Sequence, residues 1–264
     1  MNEKNFEYLR DQVRYTGFGD SLQSELREKM QQGPASFELF HNAGFGKDRT
    51  ASVLHFRKSD QQDMYFFNKY LVVLRPEDPM RISEQTFYIN KGNNITLKEA
   101  YNLLSGRAVN KDLTNKEGQV YNAWLQLDFK QPEGNGNFAV RQFHQNYGFD
   151  LERVLSGFPI KELGNEQEKT RLMESLRKGN VQPATFLQPD GREAKHFLEV
   201  SPQFKAIHVY DEQMRRVRQS SSAHLKEGGT VLERVTRERQ RPAGGEEGPG
   251  TRRQGQRRGK SIGS

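Results

Sequence analysis

The parts of this 264-residue chain that could support chemistry are six histidines, a lysine in a glycine-rich turn and a strand–turn–helix segment. His41, His55, His144, His196, His208 and His224 show neither H-x-x-x-H nor H-x-H spacing, so no pair is set by sequence to hold one ion. His196 and His208 fall on adjacent predicted strands, yet no evident carboxylate partner accompanies them. The chain has no cysteine, which removes disulfides, thiolate nucleophiles and thiolate zinc sites and fits a reducing compartment. G-x-S-x-G, Walker and G-x-G-x-x-G patterns are all missing. "GFGKD" (Gly44 to Asp48) holds glycines and a lysine but sits inside a predicted hairpin turn. Neither a cofactor nor a metal is expected, and an enzyme is the less favoured reading.

The segment "FYINKGNNITLKEAYNLLSG", Phe87 to Gly106, has the layout that elsewhere cradles phosphates: a strand, a Gly/Asn turn, then a helix. Phosphate loops need glycines where the backbone approaches the anion, usually with a lysine at the helix start. Here Gly92 stands alone, and Lys98 belongs to no Walker pattern. Thr96 and Glu99 instead form a capping box, each able to satisfy an orphan N–H at the helix start. Ile95 and Ala100 stand at staple positions, Leu97, Ala100, Tyr101 and Leu104 share one face, and Gly106 is the stop. The segment reads as a capped helix.

Around it lie the elements that must position any site. Two amphipathic helices occupy residues 1–34, with Phe6, Leu9 and Val13 on the first and Leu22, Leu26 and Met30 on the second. Asp20 is the expected N-cap of the second. "SFELFHNAGFG" and "TASVLHFRKS" alternate as a hairpin about Gly46-Lys47-Asp48, and "MYFFNKYLVVLR", apolar on both faces, reads as a central strand. Beyond residue 164, Asn165 and Glu168 suggest a second capping box on a helix ending at Gly179. A β-meander follows, turning on Pro189-Asp190-Gly191, to about residue 217.

One unit occurs twice. "FNKYL" (Phe67 to Leu71) matches "YNAWL" (Tyr121 to Leu125), "FYINKG" matches "FHQNYG" (Phe143 to Gly148), and a short helix ending in Ser-Gly follows each. Residues 35–163 are therefore expected to hold a duplicated strand–strand–helix core, with copies at about 64–106 and 118–157. Leu71 and Val73 are expected to face inward with Leu125 and Leu127. Tyr70 and Trp124 match on the opposite face. They could form a stacking surface for bases or sugars, or pack beneath neighbouring elements; the packing reading is favoured. The fold class is α+β, mainly antiparallel sheet.

Charge divides the chain. Residues 215–264 carry 13 Lys/Arg against 5 Asp/Glu, leaving 28 and 29 before them, so the basic character belongs to the C-terminal stretch. Residues 218–264, rich in Gly, Arg and Gln, read as a disordered tail. Its Arg234, Arg237, Arg241, Arg252, Arg253, Arg257, Arg258 and Lys260 are the candidate contacts to DNA or RNA. The N-terminus lacks a signal-peptide pattern, and no window approaches the ~18 apolar residues that read as a membrane span. A cytoplasmic protein with no membrane partner is expected.

"FYINKGNNITLKEAYNLLSGRAVNKDLTNKEG", "YNAWLQLDF" and "QNYGFDLE" together resemble a family of Bacteroidota proteins, of unassigned activity, that accompany conjugative or mobilisable elements. "SLRKGNVQP" with "HFLEVSPQFKAIHVYD" is similar to a short C-terminal module found in proteins of those elements, some linked to topoisomerase-like or DNA-processing genes. The resemblance spans about residues 2–217 and assigns no catalytic residue. It implies a mobile-element setting, in which the favoured reading is a non-enzymatic accessory protein whose body binds a protein partner and whose tail adds salt-sensitive contacts to DNA or RNA. The alternative is a purely protein-binding module whose tail only solubilises. Less favoured is an enzyme with its site between the two copies.

Overall fold

Asn2 opens the first helix by accepting the Asn5 N–H at 3.2 Å, and α1 runs Glu3–Val13. A π-helical turn, Arg14–Phe18, follows, and α2 covers Gln23–Gln32. The turn needs Gly17, whose φ of 100° is open to glycine and where a Cβ would stand 3.3 Å from the Leu97 nitrogen. Asp20 does not cap α2, contrary to the sequence expectation. The N-cap position falls on Leu22, without a side-chain bond, while the Asp20 carboxylate lies 3.7 Å from Arg14. The π turn accounts for this shift, because it carries Asp20 out of the helix start.

The structure is a computed structural model and describes residues 1–89 and 94–217. Among the described residues there are five α-helices and ten strands in three antiparallel sheets. Strands β1 (Ser36–Phe45), β2 (Asp48–Lys58), β3 (Tyr65–Arg75) and β4 (Ser83–Tyr88) form a four-stranded meander. Helix α3 (Leu97–Leu104) leads to β5 (Val109–Thr114), β6 (Val120–Pro132) and β7 (Phe138–His144), the second sheet. Helices α4 (Leu151–Leu155) and α5 (Glu166–Arg177) precede the third, made of β8 (Gln182–Leu187), β9 (Glu193–Ser201) and β10 (Ala206–Tyr210). The fold is α+β.

Two hydrophobic cores alternate with the sheets. In the first, Phe6, Leu9, Leu26 and Met30 of α1 and α2 and nearly all of α3 cover Phe37, Leu54, Phe56, Tyr70, Val72 and Leu74 of the first sheet. The far side of that core is Leu113, Ala123, Leu125 and Leu127 of the second sheet. The opposite face of the second sheet sends Trp124 and Phe143 into the second core, beside Leu151, Leu155, Leu172, Leu176, Leu198 and Val209. The second sheet is thus covered on both faces.

The strand–strand–helix order recurs as expected: β3–β4–α3 and β6–β7–α4. The register matches too, since Tyr70 lies opposite Phe87 and Trp124 opposite Phe143. In each copy the following helix packs on the aromatic's face. One expectation fails. Leu71 and Val73 do not face inward; Tyr70, Val72 and Leu74 do, while Leu71 and Val73 are half-buried on the outer face. Leu125 and Leu127 do face a core, because their sheet has a layer on either side.

Loops join the layers through polar side chains. Asn5, buried in α1, exchanges hydrogen bonds with the Tyr65 backbone at 3.0 and 2.7 Å. Asn102, fully buried on α3, donates to the Lys178 carbonyl and, at 3.0 Å, to Asn180 Oδ1, and accepts from Arg107 Nη2 at 2.7 Å. Here the chain leaves α5 through Gly179, at φ +78°, where a Cβ would stand 2.7 Å from the Ala108 carbonyl oxygen. Asn165 caps α5 by accepting from the Gln167 and Glu168 N–H groups at 3.0 and 3.2 Å, so the first half of the expected box forms.

Gly191 has a similar φ of +82° but open space around it. Gly191→Ala is expected to cost ~1–2 kcal/mol, the penalty for a left-handed residue with a Cβ. Gly179→Ala should cost that and ~1–3 kcal/mol more for the forced clash. Urea unfolding of the two variants checks this, and equal losses would show that the α5–β5 contact is not tight.

Candidate functional site

The N-terminus of α3, where a phosphate would sit, is occupied by the helix's own carboxylate. Glu99 accepts from the Thr96 N–H at 2.8 Å and the Thr96 hydroxyl at 3.0 Å, while Thr96 Oγ1 accepts the Glu99 N–H at 3.4 Å. Lys111 Nζ then reaches both Glu99 oxygens, at 2.9 and 2.8 Å, and the pair is largely withdrawn from water. A helix N-terminus favours an anion; this one supplies its own and neutralises it from β5. The capping box stands as read. Asn90 and Gly92 of the same segment lie outside the described residues.

Beside that ion pair opens a polar cleft of about 630 Å³, bordered by the N-terminal end of α3, the edge of β5 and the last turn of α5. Asn110 and Asn122 exchange side-chain bonds at 2.7 and 3.1 Å, and Asn122 donates to Asp112 at 2.8 Å. Glu174, Arg177 and Lys178 form the opposite wall. The cleft thus offers carboxylates, cations and amides, many already bonded to one another. Among the described residues, no histidine or hydroxyl side chain lines it. Such a lining can hydrogen-bond a polar molecule, and its Glu99–Lys111 and Asp112–Asn122 groups are already engaged with each other. Sequence reasoning had Glu99 as a cap and missed Asn110, Lys111 and Asp112; the only local signal was a polar N-K-D run inside a short strand.

Tyr70 and Trp124, the candidate stacking pair, are 0 and 6% exposed. Neither turns a ring face to solvent. Tyr70 stacks on Phe87 with centroids 5.5 Å apart and meets Phe18 edge-on at 5.2 Å. Its hydroxyl donates to the Ile95 carbonyl, just before the α3 cap. Burial, helped by the Glu99 charge, pushes the phenol well above its ordinary range, so it stays a neutral donor. Trp124 meets Phe149 edge-on at 5.6 Å. The two matched aromatics serve different cores, so they make no common platform.

The described histidines do not converge, and no group of three or more His, Asp or Glu among the described residues is arranged to hold a metal. His55 sits 3.0 Å from Glu38, His208 3.9 Å from Glu199, His196 against Phe186 and His144 against Tyr121. His224 and every tail candidate (Arg234, Arg237, Arg241, Arg252, Arg253, Arg257, Arg258 and Lys260) lie outside the described residues. Between the two copies, Leu103 and Leu104 share one apolar core with Leu125 and Leu127, which leaves the polar cleft at the margin. No helix among the described residues is long and apolar enough to cross a membrane.

The remaining surface of note is the outer face of the first sheet. Cross-strand register aligns Phe40–Val53–Leu71–Thr86, with Asn42–Ala51–Val73–Glu84 on one side and Glu38–His55–Lys69–Tyr88 on the other. Phe40 is 63% exposed and Tyr88 53%. Arg57 stands at one end of the face and Arg49 with Arg75 at the other. Antiparallel sheets often leave one face in water, but the water-facing side is then mainly polar.

Two outcomes follow. Tyr70→Phe should destabilise the chain by ~1–3 kcal/mol, because the buried Ile95 carbonyl loses its donor; a neutral result in chemical denaturation would detach Tyr70 from the α3 cap. His41 packs edge-on against Phe18 at 5.4 Å, and burial lowers its pKa from 6.5. As pH falls below 6.5, the unfolded chain takes up a proton that the folded chain resists, so this contribution is complete above that pH and shrinks beneath it. The melting temperature of the native chain should therefore drop more between about pH 7.5 and about pH 5 than that of His41→Leu.

No family model, no curated protein and no solved structure matches this chain, so its function is read from its own residues.

Proposed function

We propose that this chain is a non-enzymatic accessory protein of a bacterial mobile element. In this reading the body binds a protein partner across the outer face of the four-stranded sheet, and the basic tail adds salt-sensitive contacts to DNA or RNA. The observation that carries the first part is the apolar row Phe40–Val53–Leu71, flanked by Ala51, Val73 and Tyr88 and left uncovered by any described element. Exposed contiguous apolar surface rimmed by polar groups marks interaction sites. Arg49, Arg57, Lys69 and Arg75 outnumber Glu38 and Glu84 on that face. The complementary partner is an apolar surface flanked by carboxylates.

The second part rests on the division of charge. Residues 215–264 hold 13 Lys/Arg against 5 Asp/Glu, whereas the rest of the chain is nearly balanced. Phosphate attraction to such a segment needs no fold and weakens steeply with salt. The mobile-element setting is supported by the resemblance of residues 2–217 and by nothing else. The enzyme reading is less favoured because the cleft lining is largely engaged with itself: Glu99 pairs with Lys111, and Asn122 bonds both Asn110 and Asp112.

The test compares mobility shifts on DNA and RNA for the whole chain and for a chain ending at Gln219. The whole chain should bind at low salt and lose most of its affinity as salt rises from about 50 to about 200 mM, and the shortened chain should not bind. Equal binding by both at about 150 mM salt would place the nucleic-acid site on the body and overturn the tail assignment. If neither binds, the chain is a protein-binding module with a solubilising tail.

A further inference from the structure

The first sheet ends in an edge strand of unusual openness. β1 spans 10 residues, the longest edge strand in the three sheets. The two-residue Gly46-Lys47 turn makes Phe45 and Asp48 a hydrogen-bonded pair, and the Lys58 N–H bonds the Ala35 carbonyl at 2.9 Å in the same phase at the other end. The odd-numbered residues of β1 therefore bond to β2. The backbone N–H and C=O groups of Ser36, Glu38, Phe40, Asn42 and Gly44 point away from the sheet. Among the described residues nothing bonds to them.

Three of the other edges are partly closed. On β4, the Thr86 N–H donates to Asn137 Oδ1 at 2.8 Å, and Gln85 exchanges bonds with the Phe138 backbone. On β8, the Thr185 N–H is held by Glu162 at 2.9 Å, and Phe186 bridges to Ile160. On β10, the Val209 carbonyl accepts from Val217 at 2.8 Å, and Tyr210 bridges to Arg216. Proteins also protect edges with lysine, proline or a bulge. β1 contains no Lys, Arg or Pro, and its pairing with β2 has no bulge. Its one charge, Glu38, leans across to His55 of the neighbouring strand at 3.0 Å.

We propose that β1 pairs antiparallel with β1 of a second copy of this chain across a two-fold axis at Phe40, joining two four-stranded sheets into one of eight. The sequence is self-complementary in that register: Phe40 meets Phe40 of the second copy, Glu38 meets Asn42, and Ser36 meets Gly44. All five outward-pointing residues are then paired, through about ten backbone hydrogen bonds. No like charges face each other. The rows fuse as Leu71–Val53–Phe40 against its own image, so the most exposed ring of the face is covered by its equivalent. Two-fold pairing of one surface with itself is the commonest symmetry of soluble oligomers. The inference extends the sheet face assigned above and uses neither the tail nor any other partner.

The test is the solution mass of the whole chain over about 1 to 100 µM, by sedimentation equilibrium or light scattering. The expected mass approaches twice 30.5 kDa at the upper end. Phe40→Lys should return the chain to a monomer with its circular dichroism unchanged, and Phe40→Tyr should remain a dimer. Asn42→Pro removes an N–H that points outward, so it should also give a folded monomer; should it unfold instead, the Phe40 pair decides. A monomer across the whole range, or a dimer that survives Phe40→Lys, overturns the proposal. A monomer protected at β1 only by an extended segment of another protein overturns it as well. The chain ending at Gln219 should keep the dimer mass while losing nucleic-acid binding, which separates failure here from failure of the tail reading.

Discussion

The structure depends on α3 being buried on every side that matters. A helix of 8 residues is too short to hold itself together in water. It persists because Leu97, Ala100, Leu103 and Leu104 enter the first core, while Tyr101 stacks on Phe45 at 4.3 Å and donates to Asp48 at 2.9 Å. Burial on this scale leaves the helix ends and polar positions no water to fall back on, so each must find a partner. Glu99 closes the start with Lys111, the Tyr70 hydroxyl secures the Ile95 carbonyl just before it, and Asn102 reaches across to the loop after α5. One short helix thereby fixes the spacing of two sheets and the approach of the third layer. Lys98 shows the same pressure from the solvent side: its ammonium lies over Phe45 and Tyr101, and burial together with Arg107 lowers its pKa.

Much of this was legible because it is local. Thr96 and Glu99, three residues apart, specify a helix start whatever surrounds them, and Gly46-Lys47 specifies a hairpin. The recurring F/Y-N-x-aromatic-L pattern placed Tyr70 and Trp124 at equivalent register, and the pairing with Phe87 and Phe143 agrees. What failed was orientation. β3 alternates Tyr70, Val72 and Leu74 with Leu71 and Val73, both sets apolar, and alternation alone does not say which set is covered. Matching Leu71 to Leu125 assumed that both strands meet the same surroundings. The second sheet has layers on both faces and the first on only one, a difference set by the whole chain.

The polar cleft was illegible for a related reason. Glu99 and Lys111 come together because the chain leaves α3 and returns along β5, and Asn110 meets Asn122 because β5 and β6 pair with Asp112 opposite Asn122. Each residue taken alone is an ordinary surface type. Asn68 is a milder instance. It sits at the bulge where the β2–β3 register shifts, and its carbonyl accepts the Ile89 N–H at 2.9 Å, whereas its repeat counterpart Asn122 bonds through its side chain. The same letter at the same repeat position does two jobs, because only one of the two strands is bulged there.

These contrasts also say where binding is cheapest. A ligand entering the cleft must replace hydrogen bonds that Asn110, Asn122 and Asp112 already make to one another, so its gain is the difference between two satisfied states. The outer face of the first sheet has no such internal compensation. Phe40, Val53 and Leu71 keep apolar surface in water, and covering it returns free energy in proportion to the area removed, at ~25 cal/mol per Å² before association costs. The backbone groups along β1 add direction to that surface, since they pair only with another extended chain in register. The polar groups lining the cleft are largely bonded to one another, whereas no described element covers the apolar surface of the first sheet.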